Sequence, residues 1–403
     1  MAVTSKSFCL ILCLLTGLAS LAAFDFGLIT NQYVDYGYED GEKFEYKADI
    51  LPRFSFLVGE NGEFLLSAGI TLGTDDGFYY ILELLRTELT MRFGGSSIKA
   101  GRIYYADPLS FIAGGLFDGL QFSHNTPTGI FSAGVWYTGL LYKETANITM
   151  TANDMAIYKS ALNYDDLANT YFAPKRVLAS MDWGHPSVAE RFSLKTALAG
   201  QIDLSDADEK LHSQYLTIKT SIPVKRFSFD LGGSIEIVET ATEDKTQFNM
   251  AFAGDLGIFW TLPAIFHSRL SFGGHFAGGR VDDFIGAFVP VTTKVFGNIF
   301  QPKLSGLTIL DLNYTARLSR VIGANLSALH FIRNDLGTFN DYPIKGSSDN
   351  YFLGTEFFGR LIWSPFSDWQ FNFGGGAFLP SLGDVSDEKP QWRVELTAVF
   401  AIL

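Results

Sequence analysis

The sequence has few cysteines, few charged residues and no long apolar run, and each shortage excludes a class of protein. Its 403 residues include 2 cysteines, Cys9 and Cys13, so the chain beyond them cannot hold a disulfide framework. Charged residues make up 18% and the net charge is −13, so the concentrated basic surface that binds nucleic acid is missing. Beyond residue 23 no apolar run approaches the about 18 residues of a membrane-spanning helix. Only a closed barrel would therefore let this chain cross a membrane.

The first residues are typical of a secretory signal peptide. Lys6 provides a short basic region, residues 8–18 are apolar, and small residues suited to cleavage follow at 20–23. We therefore expect a cleaved signal peptide over residues 1–23 and a mature barrel over residues 24–403.

Residues 351–379 show most clearly a pattern that the rest of the chain repeats. Apolar side chains alternate with polar ones, and one face of the first segment carries Leu353, Phe357, Leu361 and Trp363. A turn at 364–367 contains a proline, and a second alternating segment begins at Trp369. Each segment runs about 11 to 13 residues, twice the usual strand of a soluble sheet and enough to cross a bilayer at a tilt. The unit is predicted to be a transmembrane hairpin.

Across the chain, such segments are separated in turn by short and long connections. They number about 18, with 16 to 20 compatible with the sequence, and an even number places both chain ends on one side. Tryptophan, which favours the headgroup level of a bilayer, stands beside the short turns at Trp183, Trp260, Trp363 and Trp369. The predicted fold is all-β: a transmembrane antiparallel up-and-down β-barrel with short periplasmic turns and longer outer loops.

Two long connections are unusually apolar for solvated loops. Residues 106–115 are interpreted in two ways: they fold into the lumen as a constriction, or they extend a strand that packs on its neighbour. For residues 278–305 three interpretations stay open: an apolar loop, an insertion into the lumen, or an additional pair of strands.

The sequence contains no motif of a known catalytic site and predicts neither an enzyme nor a cofactor. There is no G-x-S-x-G, no phosphate-binding loop and no H-E-x-x-H. His267 and His275 are eight positions apart on one strand face, too far to share a metal ion. Paired acids at 75–76, 165–166 and 282–283 fall in predicted outer loops, where solvation is favoured over binding of calcium. No metal site is predicted.

The inward polar face is the predicted functional surface. Its basic and acidic residues nearly balance, and they either form local rings of charge at a constriction or pair across strands. Since about 18 strands enclose a lumen too wide for side chains to fill, water is expected inside. The predicted pore-lining residues are Lys99, Arg102, Asp118, Arg191, Lys195, Arg269, Asp311, Arg317, Glu356 and Arg360.

Four short runs resemble the alginate-export family of outer-membrane porins. They are Lys99-Ala100-Gly101-Arg102, Phe117-Asp118-Gly119, Leu353-Gly354-Thr355-Glu356 and Phe378-Leu379-Pro380. The resemblance implies a barrel of 18 strands that carries anionic or small solutes. It also implies that Arg102, Asp118 and Glu356 face the lumen.

Together these observations predict an outer-membrane porin that passes small hydrophilic solutes by passive diffusion. Two alternatives stay open: a transporter of fatty acids or lipids that uses the apolar connections, and an adhesin that uses residues 142–175. The expected location is the outer membrane of a Gram-negative-type (diderm) bacterium. The expected partners are outer-membrane lipid, small solutes, and the barrel-assembly machinery through the C-terminal strand, with no nucleic acid. Homo-oligomerisation stays open.

Overall fold

A computed structural model describes most of the chain beyond the predicted signal peptide. The described residues are 24–39, 41–74, 77–242, 245–263, 266–282, 284–335, 351–382 and 389–402. The predicted signal peptide, the acid pair at 75–76, Asp283 and most of the connection before residue 351 lie outside them.

The described residues form one closed sheet of 18 antiparallel strands. Each strand pairs with its neighbours in sequence, and β1 pairs with β18 to close the ring. This confirms the predicted up-and-down barrel. The strands are β1 Phe24–Tyr38, β2 Glu42–Val58, β3 Gly62–Thr74, β4 Phe78–Phe93, β5 Ser96–Ala106, β6 Gly114–Thr126, β7 Gly129–Tyr137, β8 Arg176–Val188, β9 Phe192–Asp203, β10 Lys210–Val224, β11 Phe227–Ala241, β12 Thr246–Thr261, β13 Arg269–Ala277, β14 Leu307–Arg317, β15 Ile322–Arg333, β16 Phe352–Phe366, β17 Trp369–Leu379 and β18 Gln391–Ile402.

The two faces of the sheet differ in polarity because side chains alternate along each strand. The outward face carries large apolar side chains that have no cover within the chain, such as Leu198, Leu216 and Leu256. Aromatic rings gather near the short turns, where Trp260 stacks on Phe227 with ring centroids 5.7 Å apart. An apolar exterior with aromatic residues at its border is the pattern of a barrel in lipid.

Leu256 provides a test of which face meets lipid. It is 36% exposed on the outward face of β12, and Leu231 of β11 lies directly opposite. Leu256→Arg should cost about 2 to 4 kcal/mol of folding free energy in bilayers, because the cation would lie deep in hydrocarbon. Ser271→Arg on the inward face of neighbouring β13 is the matched control and should cost less than about 1 kcal/mol. Denaturant titration in lipid vesicles measures both, and equal costs would refute the face assignment.

The predicted hairpin is present as β16 and β17, with one correction. Phe357, Leu361 and Trp363 are exposed on the outward face, but Leu353 is buried, at 3% exposure. The register between β15 and β16 shifts at this point, and Gly354 adopts a φ of +138°. Leu353 is the extra residue of a β-bulge, which moves its side chain out of the alternating pattern.

The connection between β7 and β8 is the longest described one, covering residues 138–175. It contains three short helices, α1 Lys143–Ala146, α2 Ala152–Lys159 and α3 Leu167–Thr170. Strand β7 ends at Tyr137, and the hydroxyl of buried Thr138 donates to Pro174 O. Within the described part of the chain, no helix is both long and apolar enough to cross a membrane.

Candidate functional site

The β5–β6 connection, residues 107–113, is held in shape by the carboxylate of Asp107. Its two oxygens accept hydrogen bonds from the backbone N–H groups of Leu109, Ser110, Ile112 and Ala113, at 2.8 to 3.1 Å. Burial raises the pKa of this carboxyl, while the bonds from the backbone N–H groups oppose the rise. Most of the connection is buried, including Phe111 and Ile112 at 1% exposure. It is therefore a rigid, folded segment.

Its tip reaches across the barrel. A Cβ added to Gly232 of β11 would lie 2.2 Å from Leu109 Cδ2, so the two residues are in close contact. Strands β5 and β11 are not neighbours in the sheet. Contact between them is possible only through the interior, so this connection lies in the lumen. Of the two interpretations of residues 106–115, the structure confirms the insertion into the lumen.

The β13–β14 connection, residues 278–306, also enters the lumen. The Val289 N–H donates to Glu236 Oε2 of β11 at 2.7 Å, and the Tyr215 hydroxyl of β10 donates to Val289 O at 2.6 Å. Among the described residues its strand-like pairing is a single bridge between Met250 and Ile285. The described residues of this connection form no additional pair of strands, and the strand count over the described ranges is 18.

The far end of the same connection is anchored to β16. The carboxylate of Glu356 accepts bonds from the backbone N–H groups of Asn298, Ile299 and Phe300, at 2.7 to 3.0 Å. Glu356 is fully buried. The Phe300 ring also stacks on Phe378 of β17, with centroids 4.4 Å apart. The connection thus spans the lumen from β10 and β11 to β16 and β17.

The inserted segments bond to one another. The Val291 N–H donates to Ile112 O at 2.7 Å, and the Gly114 N–H donates to Thr292 Oγ1 at 2.9 Å. The long β7–β8 connection joins them through Asn147, whose carbonyl accepts from the Thr293 N–H at 2.9 Å. Three connections therefore form a single layer across the barrel.

A polar cleft of about 510 Å³ remains between this layer and the wall of β1 and β16–β18. Arg360 pairs with Glu395 at 2.5 Å, and Arg393 pairs with Asp35 at 2.7 Å. Arg393 also donates to Asn298 O of the inserted layer at 2.9 Å. Because each guanidinium faces a carboxylate, the cleft is lined by charges of both signs that largely cancel.

On the wall formed by β10–β14, an acidic group surrounds His275. Its Nδ1 lies 2.7 Å from Asp255 Oδ1, and its Nε2 lies 3.3 Å from Asp311 Oδ1. Lys219 Nζ is 3.4 Å from Asp255 Oδ2. The ring of Phe296, from the inserted layer, packs on His275 with centroids 4.6 Å apart. The inserted layer therefore packs on this wall through an aromatic contact with the ionic group.

The register assigns seven of the ten predicted pore-lining residues to the inward face. Lys99 pairs with buried Glu88 at 2.9 Å, and Lys195 lines a second cleft with Asp182. Arg191 lies in the exposed turn between β8 and β9, since its N–H closes that turn onto Val188 O. The seven inward residues are Lys99, Lys195, Arg269, Asp311, Arg317, Glu356 and Arg360.

The other two, Arg102 and Asp118, are placed differently from the prediction. They lie opposite each other on β5 and β6, and Asp118 shares its strand face with the exposed Leu120 and Phe122. That face is the outward one. The implied lumen position of these two residues is therefore wrong, because residues at even spacing along a regular strand lie on one side.

Several residues that shape the lumen had no distinctive sequence signal. Asp107, Tyr215 and Glu236 hold the inserted layer through backbone groups that lie far away in sequence. The alternation of β18 puts Arg393 on the inward face, but nothing in the sequence indicates that it lines the cleft. In the described ranges no group of three or more His, Cys, Asp or Glu side chains is arranged to hold a metal ion.

Comparison with solved structures agrees with this architecture. The chain is similar to OccK2 (OpdF) of Pseudomonas aeruginosa, with a TM-score of 0.62, 13% identity, and coverage of 94% of this chain and 97% of that one. It is similar also to the outer membrane protein OpdK of the same organism, with a TM-score of 0.61, 11% identity, and coverage of 94% and 98%. A third is the outer membrane protein OprD, with a TM-score of 0.59, 12% identity, and coverage of 94% and 93%. The chain has the fold of these barrels.

Two of the similar structures contain a small ligand: OccK2 was solved with glucuronate and OpdK with vanillate. No protein-family model and no curated protein matches the chain. The comparisons do not support the resemblance to the alginate-export family.

Proposed function

We propose that this protein is an outer-membrane channel that lets small hydrophilic solutes diffuse passively. The observation that carries the proposal is the layer of inserted connections, which narrows a wide barrel but leaves a polar cleft beside Arg360 and Arg393. An 18-strand barrel without such a layer would enclose an open aqueous channel. The layer therefore sets the size of what passes.

The paired charges in the cleft support solutes that are small and polar rather than strongly anionic. OccK2 and OpdK were solved with the carboxylates glucuronate and vanillate. Here Glu395 and Asp35 face the two cleft arginines, so little positive potential is left to attract an anion. An anionic polymer such as alginate would need both a wider path and a basic one. The proposal therefore does not extend to alginate.

The proposal includes the predicted processing and location. Residues 1–23 would direct export and be removed, and residues 24–403 would be inserted into the outer membrane of a diderm bacterium. Insertion would use the barrel-assembly machinery through β18, whose outward residues include Val394 and Leu396. These exposed apolar side chains support contact with outer-membrane lipid.

Single-channel recording tests the proposal. Purified protein added to a planar lipid bilayer in potassium chloride should give discrete conductance steps. In a salt gradient the reversal potential should lie close to zero, because paired arginines and carboxylates favour neither ion strongly. Absence of any conductance step in protein whose folding is verified by circular dichroism would contradict the channel. A strong anion preference would contradict the neutral cleft.

A further inference from the structure

The wall of the barrel is incomplete between β4 and β5. The two strands pair only from Thr87 to Phe93 of β4. Of the first nine residues of β4, from Phe78 to Arg86, all but the bulge residue Leu85 pair with β3, and none has a partner on β5. Strand β5 ends at Ala106, short of the height that β4 reaches. A vertical split therefore runs along the upper part of this strand.

Side chains replace the missing strand at three alternate positions of β4. The Tyr164 hydroxyl bonds both backbone groups of Tyr80, accepting at 3.0 Å and donating at 2.9 Å. The Tyr171 hydroxyl donates to Leu82 O at 2.7 Å, and Arg102 Nη1 donates to Leu84 O. These positions are the ones at which a neighbouring strand would bond. The split is closed by a seam of side chains.

Two parts of the chain thus hold the seam from opposite sides. Tyr164 and Tyr171 belong to the long β7–β8 connection. Arg102 belongs to β5 and also binds Asp118 of β6 through two bonds of 3.0 and 2.8 Å. Its Nη2 donates further to Leu140 O of the same connection at 2.9 Å. This explains why a charged pair lies on the outward face, with the Arg102 side chain only 6% exposed.

The surroundings of the seam are mostly apolar on both sides, and the carboxylate of Glu83, which faces inward, accepts a bond from Thr145 of the β7–β8 connection at 2.9 Å. Outside, its rim carries the exposed side chains of Leu82 at 60%, Tyr104 at 59% and Leu140 at 53%. Inside, the residues behind it are buried apolar ones, among them Ile103 and Leu141. Phe93 lies at the border beside the short turns, and Leu84 lies roughly 20 Å from it along the barrel axis. The apolar band of a barrel in lipid is about 25 Å tall, so Leu84 lies within that band. The seam therefore begins at the depth of the outer leaflet.

We propose that this seam is a lateral passage that admits an aliphatic chain, such as that of a fatty acid, between the outer leaflet and the barrel interior. A closed barrel needs a continuous backbone ladder because hydrocarbon offers no partner to a free strand edge. Here four hydroxyl or guanidinium bonds close the edge, and the connection that provides two of the three donors lies over the seam. Moving that connection releases three of the four bonds without unpairing any strand and leaves the Arg102 bond to Leu84 O in place. This passage is distinct from the polar cleft proposed for hydrophilic solutes.

A photoreactive fatty acid with a diazirine near its methyl end provides the test. The protein is reconstituted in phospholipid vesicles with the probe, irradiated, and mapped by mass spectrometry. Wild type should give adducts at the rim, on Leu82 and Leu140, and a smaller fraction inside, on Ile103 and Leu141. Replacing Tyr164 and Tyr171 together by Phe should raise the interior fraction by about 10- to 100-fold, because three neutral hydrogen bonds are lost. Tyr158→Phe, on α2 of the same connection, should leave it unchanged.

A locked variant makes the test specific. The predicted mature chain has no cysteine, so Tyr80→Cys and Tyr164→Cys can be bridged with a short bifunctional thiol reagent across positions whose rings now stack at 4.8 Å. The lock should abolish interior adducts, retain rim adducts and leave ion conductance as it was. Adducts confined to the rim in every variant, or interior adducts that survive the lock, would overturn the lateral passage. A loss of ion conductance without any change in the adducts would count against the proposed hydrophilic channel and not against the lateral passage.

Discussion

Glu356→Ala should raise the single-channel conductance several-fold and make it noisy, because it releases one end of the layer that crosses the lumen. The carboxylate now holds three consecutive backbone N–H groups, of Asn298, Ile299 and Phe300. Hydrogen bonds to a charged group contribute about 1.5 to 3 kcal/mol each, so roughly 5 kcal/mol of anchoring is lost at this end. The barrel wall itself keeps its strand pairing. Planar-bilayer recording of wild type and variant gives the comparison.

Glu63→Ala is the matched control for that experiment. Glu63 is also an acidic side chain on the inward face, but its carboxylate is 40% exposed and lies 3.6 Å from Arg92 near a short turn. Removing an exposed pair of this kind changes stability by less than about 1 kcal/mol. Its conductance should equal that of wild type. If Glu356→Ala also conducts like wild type, with the fold intact, the inserted layer does not limit the channel.

Arg176→Met should destabilise the protein by about 3 to 5 kcal/mol, because it leaves two buried carboxylates without their cation. The guanidinium of Arg176 is fully buried and lies 2.6 Å from Asp154 of α2 and 3.0 Å from Asp203 of β9. It also donates to Gln201 Oε1 at 2.8 Å and so ties the long β7–β8 connection to the wall. Urea unfolding in lipid vesicles, followed by tryptophan fluorescence, measures the loss.

Neutralising the carboxylates should reverse most of this loss. The triple variant Arg176→Met, Asp154→Asn, Asp203→Asn keeps the packing and removes the uncompensated charges, so stability should return to within about 1 to 2 kcal/mol of wild type. Arg226→Met, in the exposed turn between β10 and β11, is the matched control and should have no measurable effect. A triple variant as unstable as the single one would show that Arg176 acts through its shape rather than its charge.

The barrel could be predicted from the sequence because the residue pattern that produces it is local. Alternation of polar and apolar residues is set by the pleat, and the border position of Trp260 and Trp369 is set by the chemistry of one side chain. Neither depends on which residues meet across the lumen. The count of 18 strands followed from the same repeat.

The contacts inside the barrel could not be predicted from the sequence, because they join distant parts of the chain. Glu356 was expected on the inward face, and it is there, but its partners lie 56 to 58 positions away. Nothing around Leu109 indicates that its side chain would rest against Gly232. Such contacts follow only once the strands have fixed the distance across the lumen.

The error at Arg102 is different, because the sequence held the information to avoid it. Lys99 and Arg102 are three positions apart, and a two-residue period puts such positions on opposite faces of a regular strand. The prediction that both residues face the lumen relied on the resemblance of short runs to a porin family and not on the alternation of side chains along the strand. The outward position of Arg102 is also what makes it available to the seam between β4 and β5.

The distance along the chain between Glu356 and its partners also bears on assembly. Contacts of large sequence separation form late, since the intervening segment must first be ordered. The bonds of Glu356 span 56 to 58 positions, whereas the pairing that closes the ring joins the two ends of the barrel, Leu28 with Ile402 and Tyr38 with Trp392. By the same argument, the contacts inside the barrel form before the ring closes. A molecule under insertion would then carry its filling with it, and the cell envelope would not have to hold a wide, unselective hole during assembly.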